Sequence, residues 1–427
     1  MNFSSPASLA VLACPGGEVF ANEVILHLKQ YYHNKFSKTV AVLTKKYSFD
    51  TANVIRRLNF LNDAVPCVAG LQGQIINSHT PKIKVPARFS MFPNGEIKAE
   101  ILESIRGKDV YIIQDPENHY PVSFNEGALK QALSVNDHLL TILVTVDAVK
   151  QAGAEHITLI TPIYPYSRQH RKKGREGVTA TRIGFILENL GVNRIITLDI
   201  HSREIGNAFN VMRMENLHAS YQITRQLAKI SEIQKGDFVV VSPDTGAVDR
   251  NKFYATAFKK PLALLYKERD YSKVTKDAND NNIAEIRLLG NVRDKTVFMA
   301  DDMLGTGGTL LKAMRFLKDQ GAGKVICAIS LPLFSGNAIE YFDKAYGEGL
   351  FYRIIGTNAV YQEELLTREW YISVNITKLF AQTINRLHQG QSLSSLLDNR
   401  GIIEKLLTAV PPETEEDRPQ EFAGEEG

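Results

Sequence analysis

The stretch Thr296-Val-Phe-Met-Ala-Asp-Asp-Met-Leu-Gly-Thr-Gly-Gly-Thr-Leu310 decides how the rest of the chain reads. Thr296 to Ala300 are short, apolar and preceded by the charged turn Arg293-Asp294-Lys295, the pattern of a buried strand. Two carboxylates, Asp301 and Asp302, stand where that strand is expected to end. Gly305, Thr306, Gly307, Gly308 and Thr309 form a loop that brings backbone N–H groups close to an anion. Leu310, Leu311, Met314 and Leu317 then fall on one face of a helix, with Gly321 as its stop. A phosphate at that helix N-terminus meets free N–H groups, the helix dipole and the Thr306 and Thr309 hydroxyls. The adjacent acids suit a sugar diol or a magnesium ion. A Gly-rich turn also joins strand to helix where nothing binds, and an Asp there also caps helices. The acid pair at the strand end tips the reading toward a site for a phosphorylated sugar.

The bulk properties narrow the class. A chain of 427 residues has room for two or three domains, and 44% hydrophobic with 23% charged residues is ordinary for a globular protein. A net charge of +3 is too small to argue for nucleic acid or an anionic membrane, so neither is expected as a partner. The basic cluster Arg168 to Arg175 is therefore a local feature. Cys14, Cys67 and Cys327 are odd in number and far apart, which argues against a disulfide framework or a zinc site and for a reducing compartment. The apolar run Ala7 to Cys14 has no Lys or Arg before it and is too short for a signal peptide, and no run approaches a membrane span. These features imply a cytoplasmic protein.

Along the chain, strands alternate with helices. Leu9 to Cys14 is expected as a first strand, followed by a helix Glu18 to Tyr32, a strand Thr39 to Leu43 and a helix Ala52 to Leu61. Phe92 to Glu96 is a turn signal before the strand Ile97 to Ile101. Strands at Val110–Gln114, Ile157–Ile163 and Arg194–Asp199 enclose helices at Asp137–Gly153 and Thr179–Leu190. A second series begins near residue 219, with helix Ser220–Leu227, strand Phe238–Ser242, strand Leu262–Tyr266 and a polar loop Lys267–Asn282. Beyond the central motif come strands Val325–Leu331 and Tyr352–Thr357 and a helix near Thr377–Leu387. This is an α/β architecture of mostly parallel sheets flanked by helices, in two similar halves with a boundary near 215–220. Pro411 to Gly427 is Pro/Glu-rich and reads as an acidic, disordered tail.

Four further constellations fall at expected strand ends, where open α/β sheets place ligands. Arg168-Gln169-His170-Arg171-Lys172-Lys173 with Arg175 is either a solvated basic loop or a polyphosphate site. His201 with Asp199 is either a structural pair or a cation site. Asp244 stands where it caps a helix or faces a ligand, and Lys267-Glu268-Arg269 opens the polar loop.

Taken together, these segments resemble the class I ribose-phosphate diphosphokinases (PRPP synthetases) in order and spacing. The stretch around Asp301 and Asp302 is similar to their phosphoribosyl-diphosphate motif, shared with type I phosphoribosyltransferases. Phe92-Pro-Asn94-Gly-Glu96 resembles their adenine-contacting turn, Glu103-Ser-Ile-Arg-Gly107 a further family segment, and Tyr166-Ser-Arg-Gln-His-Arg-Lys172 their ATP-binding segment. Asp199-Ile-His201 and Ser242-Pro-Asp-Thr-Gly246 are similar to magnesium-associated segments, and Lys267-Glu-Arg269 to the catalytic-loop Lys-x-Arg. The resemblance covers roughly residues 86 to 398 and the first strand and helix.

It implies two phosphoribosyltransferase-like domains, 1–218 with an insertion at about 38–85 and 219–398 carrying the PRPP motif, then a tail 399–427, disordered from about 411. It implies transfer of the β,γ-diphosphate of ATP to the 1-hydroxyl of ribose 5-phosphate, with Mg²⁺ and release of AMP. ATP would meet Phe92, Asn94, Glu96, Arg168, Gln169 and His201. Magnesium would be positioned by His201, Asp244 and Asp199. Ribose 5-phosphate would meet Asp301, Asp302 and the loop Gly305, Thr306, Gly307, Gly308 and Thr309. Lys267 and Arg269 would oppose the charge of the migrating diphosphate. An allosteric phosphate would map to Ser104, Arg106, Ser392 and Ser394, and the assembly to a homo-oligomer, dimer or hexamer.

The chain also departs from the pattern. Segments between Ser37 and Lys82 and near Asn118 to Asn125 have no counterpart, and the loop between Arg269 and Gly290 is longer than usual. His170 and Gly305 each stand where an Asp is usual. Two other readings compete with the enzyme: a non-catalytic PRPP-synthetase-like regulatory subunit, and a phosphoribosyltransferase. The intact Lys267 and Arg269 argue against the first, and the ATP-like segments against the second.

Overall fold

The computed structural model describes residues 8–55, 82–172, 174–234, 237–269, 283–397 and 403. Two sheets carry the fold. The first is fully parallel, in the order β1 (Leu9–Ala13), β4 (Asp109–Ile113), β7 (His156–Ile160), β8 (Arg194–Leu198) and β9 (Arg213–Leu217). The second has the order β12 (Ile283–Leu289), β11 (Leu262–Arg269), β10 (Phe238–Ser242), β13 (Thr296–Leu304), β14 (Val325–Pro332), β15 (Arg353–Thr357) and β16 (Tyr371–Val374). It is parallel except for the β11–β12 pair. Two small hairpins, β2 (Ala87–Met91) with β3 (Ile97–Ile101) and β5 (Val122–Phe124) with β6 (Leu129–Gln131), lie outside both sheets. The expected α/β class of mostly parallel sheets is what the chain adopts.

Alternation along the strands sorts the core into layers. In β1, Leu9 and Val11 face one way, while Ala10 and Leu12 join a second cluster on the opposite face of that sheet. The Leu9 and Val11 side is continuous with Phe238, Val240, Phe298 and Ala300 of the second sheet. Helices α1 (Glu18–Tyr47) and α9 (Thr377–His388) fill this shared layer, with Phe20 packed edge-on against Phe380 at 5.1 Å. Apolar packing therefore runs from one sheet to the other, and the C-terminal ends of both sheets open on one cleft.

Several expectations are corrected. Thr39 to Leu43 is not a strand: α1 runs unbroken to Tyr47 rather than stopping at Tyr32. Val40 and Val42 favour a strand only weakly, and no Gly or Pro between Glu18 and Tyr47 interrupts the helix before Ser48 turns left-handed at φ 52°. Residues 51–55 are helical; the remainder of the expected helix to Leu61, Cys67 and the acidic tail lie outside the described residues. Lys267 is not the start of a loop, because β11 continues to Arg269 and pairs antiparallel with β12. β13 likewise continues four residues past Ala300, paired with β14 as far as Pro332, so Asp301 and Asp302 sit on the strand itself.

The second sheet reverses its winding between β10 and β13, and the strands part there. Their pairing ends at Val240 with Phe298. Beyond it, Asn251, wholly buried on the helix α6 (Val248–Phe258), takes over the partnership of β13. Its amide donates to Ala300 O at 2.8 Å and its carbonyl accepts from Ala300 N at 2.9 Å. Buried backbone groups left unpaired cost about 1–3 kcal/mol each, so this side chain lets the strands separate without that penalty. The gap is the switch-point crevice in which such sheets hold ligands.

Candidate functional site

A cleft of about 1600 Å³ lies at that crevice, walled by both sheets. The first sheet supplies Arg168 and His170 from the loop after β7, and Asp199 and His201 from the end of β8. The second supplies Asp244 after β10, Asp301 and Asp302 on β13, and the loop Gly305 to Thr309. The two walls meet where His201 Nδ1 donates to Asp302 Oδ2 at 2.7 Å. His170 stands edge-on to His201, ring centres 5.3 Å apart.

The Gly/Thr loop is shaped by its neighbours. Gly307 has φ +75°, and a Cβ there would lie 2.3 Å from Phe342, so only glycine fits. Leu304 O accepts from Leu333 and Phe334 N–H, and Gly305 O from Ser335 N–H, which fixes the loop from behind. The helix α7 (Gly308–Asp319) then begins facing the cleft, with Thr306 and Thr309 exposed. Its first-turn N–H groups and its dipole favour an anion at this position.

Across the loop stands a pair of acids in different states. Burial, then the neighbouring Asp302 and Asp244 charges, push the Asp301 carboxyl up to about 7. Burial also works against Asp302, but the His201 hydrogen bond and the Arg250 guanidinium outweigh it and hold Asp302 below the usual carboxylate range. One acid is thus anionic and the other sits near neutrality, an arrangement that like charges at close range impose.

The remaining expected residues divide. Asp244 Oδ1 accepts from the Gly246 and Ala247 N–H groups, so it caps the turn into α6 while lining the cleft. Asp199 lines the cleft too, but its oxygens are taken by His218, Ala219 and Ser330. Gln169 accepts from the Thr179 hydroxyl at 2.6 Å and is outside the cleft lining. Phe92, Asn94 and Glu96 stand on the exposed β2–β3 turn, also outside it. Ser394 lines the cleft, whereas Ser104, Arg106 and Ser392 do not. Lys267 and Arg269 lie on β11, three and five residues past Leu264, where its pairing with β10 ends. Arg250, His218, Ser330 and Asn251 were missed from the sequence, because their partners lie far along the chain.

Comparison with known proteins meets this geometry. Residues 71–191 match the family model described as the N-terminal domain of ribose phosphate pyrophosphokinase, and residues 212–356 match the phosphoribosyl transferase domain. Ribose-phosphate pyrophosphokinase A of Dictyostelium discoideum is 34% identical over 315 residues, 73% of this chain and 90% of that protein. The chain belongs to the ribose-phosphate pyrophosphokinase family. Ribose-phosphate pyrophosphokinase 2 of Schizosaccharomyces pombe is 33% identical over 307 residues, 71% of this chain and 87% of its own length. A solved phosphoribosylpyrophosphate synthetase from Mycobacterium smegmatis superposes with a TM-score of 0.65 over 90% of this chain and 99% of that one, at 24% identity, a likeness of fold. As a ribose-phosphate pyrophosphokinase the chain is an enzyme. None of its described helices is long and apolar enough to cross a membrane.

Proposed function

We propose that the cleft holds ATP and ribose 5-phosphate together and moves the β,γ-diphosphate of ATP onto the sugar 1-hydroxyl, releasing AMP. The observation that carries this reading is the His201–Asp302 contact, which sets the basic segment of the first sheet against the acid pair and anion loop of the second. The loop Gly305 to Thr309 takes the 5-phosphate, and Asp301 and Asp302 take the ribose hydroxyls. Arg168 and His201 face the polyphosphate, and Lys267 and Arg269 counter the charge that develops in transfer. The sequence divides at about 218 into the two halves that supply these walls, 1–218 and 219–398.

Among the described residues no group of three His, Cys, Asp or Glu side chains forms a metal cage. The donors fit Mg²⁺ in another way, since that ion is commonly held by one or two carboxylates together with substrate phosphates and water. His201, Asp244 and the acid pair would hold it, and it would neutralise phosphate charge. Phe92, Asn94 and Glu96 are outside this chain's cleft, which supports an adenine contact made to a second copy in a homo-oligomer, dimer or hexamer. A phosphate effector at Ser104, Arg106, Ser392 and Ser394 belongs to the same proposal, as does a cytoplasmic location.

The test is product identity. Purified protein with ATP, ribose 5-phosphate and Mg²⁺ is expected to form AMP, dependent on the sugar phosphate and the metal. Stoichiometric ADP without AMP would make it an ordinary kinase.

Gly305 provides a second expectation. A Cβ built there lies 3.2 Å from Arg168 Nη2, and the Arg168 Nε rests 2.9 Å from Met303 Sδ. An Asp at this position would pair with Arg168. The backbone N–H groups of the loop remain in either case, and one added polar contact is worth on the order of 1 kcal/mol. Gly305→Asp is therefore expected to change the KM for ribose 5-phosphate by at most about tenfold. Steady-state kinetics decide it: no sugar-phosphate binding in the wild type, restored by Gly305→Asp, would mark glycine as a disabling change.

A further inference from the structure

Asp199 carries a full set of partners. It is 6% exposed, and four donors reach its two oxygens. Oδ1 faces His218 Nδ1 at 2.8 Å and Arg250 Nη1 at 3.4 Å, and Oδ2 accepts from Ala219 N at 3.1 Å and the Ser330 hydroxyl at 2.6 Å. A carboxylate offers about four lone-pair positions, so none is left for a cation. Asp199 thus does not fit the magnesium role that the sequence pattern assigns to it.

The donors show what it does. Asp199 ends the β8 segment of the first sheet, Ser330 lies on β14 of the second, and Arg250 lies on α6. Arg250 Nη1 is also 3.3 Å from Ser330 Oγ, which closes a triangle. The triangle joins the two sheets at the cleft, which Asp199 and Arg250 line. Ile329, next to Ser330, pairs in register with Asp301, and His201 is two residues beyond Asp199. The backbone turns sharply between them, with Asp199 itself at φ 39°. We infer that Asp199, Arg250 and Ser330 form a positioning triad that holds the sheets at the separation where His201 meets Asp302, and that Asp199 is not a cation ligand. The charges agree: burial opposes ionisation of Asp199, but Arg250 and His218 outweigh it and hold the carboxyl well below the usual range, while Arg250 also faces Asp302 and Asp301.

This inference rests on the proposed substrate reading, and a double-mutant cycle separates the two. Asp199→Asn and Arg250→Met are each expected to lower kcat/KM for ribose 5-phosphate by about 30-fold, with the KM for ATP within about threefold. The double variant should lose little more than the worse single one, because the pair acts as a unit. Arg250→Lys, which keeps the charge, should recover part of the loss. Binding of Mn²⁺, followed by electron paramagnetic resonance with ribose 5-phosphate present, should change less than about threefold in Asp199→Asn. A loss of Mn²⁺ affinity beyond tenfold in Asp199→Asn alone would make Asp199 a ligand and overturn the inference. Additive losses, or lower melting temperatures with unchanged kinetics, would overturn it as well. If the wild type forms no AMP, the substrate reading fails by itself. The cycle is then read on thermal midpoints, where additivity still counts against the triad and non-additivity supports it.

Discussion

Replacing Lys267 or Arg269 with alanine is expected to lower kcat by about 10²-fold or more, with a much smaller change in either KM. Transfer of a phosphoryl-type group involves little covalent chemistry for the protein to perform, so catalysis falls to positioning and charge neutralisation. Both residues lie on β11 beyond the end of β10, where the strand pairs only with β12. At about 3.3 Å per residue, the positions three and five past Leu264 are roughly 10 and 17 Å beyond the last pair. They follow the part of β11 that pairs with Ser242, two residues before Asp244. A cation that stabilises charge only as the diphosphate migrates is felt in kcat, while ground-state binding, in the proposed reading, stays with the loop Gly305 to Thr309 and the first-sheet wall. Near-normal kcat in both variants, measured with saturating substrates, would remove these residues from the mechanism and favour a regulatory subunit.

What the sequence made legible follows how local each signal is. Phe238–Ser242, Thr179–Leu190 and Ser220–Leu227 end where expected, because their apolar periodicity and flanking turns are contained within the element. β9 (Arg-Met-Glu-Asn-Leu) and β16 (Tyr-Ile-Ser-Val) were not expected; each is an edge strand whose side chains are mostly half-buried or exposed, so neither shows a buried-strand run. β12 was hidden for a different reason: it exists only by pairing with an extended β11. The acid pair, the Gly/Thr loop, Arg168, His201 and Asp244 were legible as motifs, and the fold brings all of them to one cleft. The polar network behind them was not. Ser330 and Asp199 are 131 residues apart, and Asn251 reaches Ala300 across 49. A lone Asn, Ser or Arg gives no sign in the sequence of such distant partners.

Asp302→Asn is expected to lower kcat/KM for ribose 5-phosphate by about 10³-fold, or about 4 kcal/mol of transition-state stabilisation. Asp302 is the anionic member of the pair, and its Oδ2 accepts a hydrogen bond from His201 Nδ1 at 2.7 Å. An amide of the same shape removes the charge that the Arg250 guanidinium faces and the carboxylate that His201 hydrogen-bonds. The pH profile gives a second, independent signature. Asp301 is held up to about 7 by burial first and by the Asp302 charge next. If Asp301 must be ionised to accept a ribose hydroxyl, kcat/KM of the wild type rises with pH and levels off above about 7. Its raised value has the opposite sign for stability: the folded state binds the extra proton, so stability falls as pH rises from about 4 to about 7. Neutralising Asp302 removes the like charge beside Asp301, so the residual activity of Asp302→Asn should keep the rising limb but move it to lower pH. A limb that stays near 7 in the variant would show that the titrating group is elsewhere and that the two acids do not act as a pair.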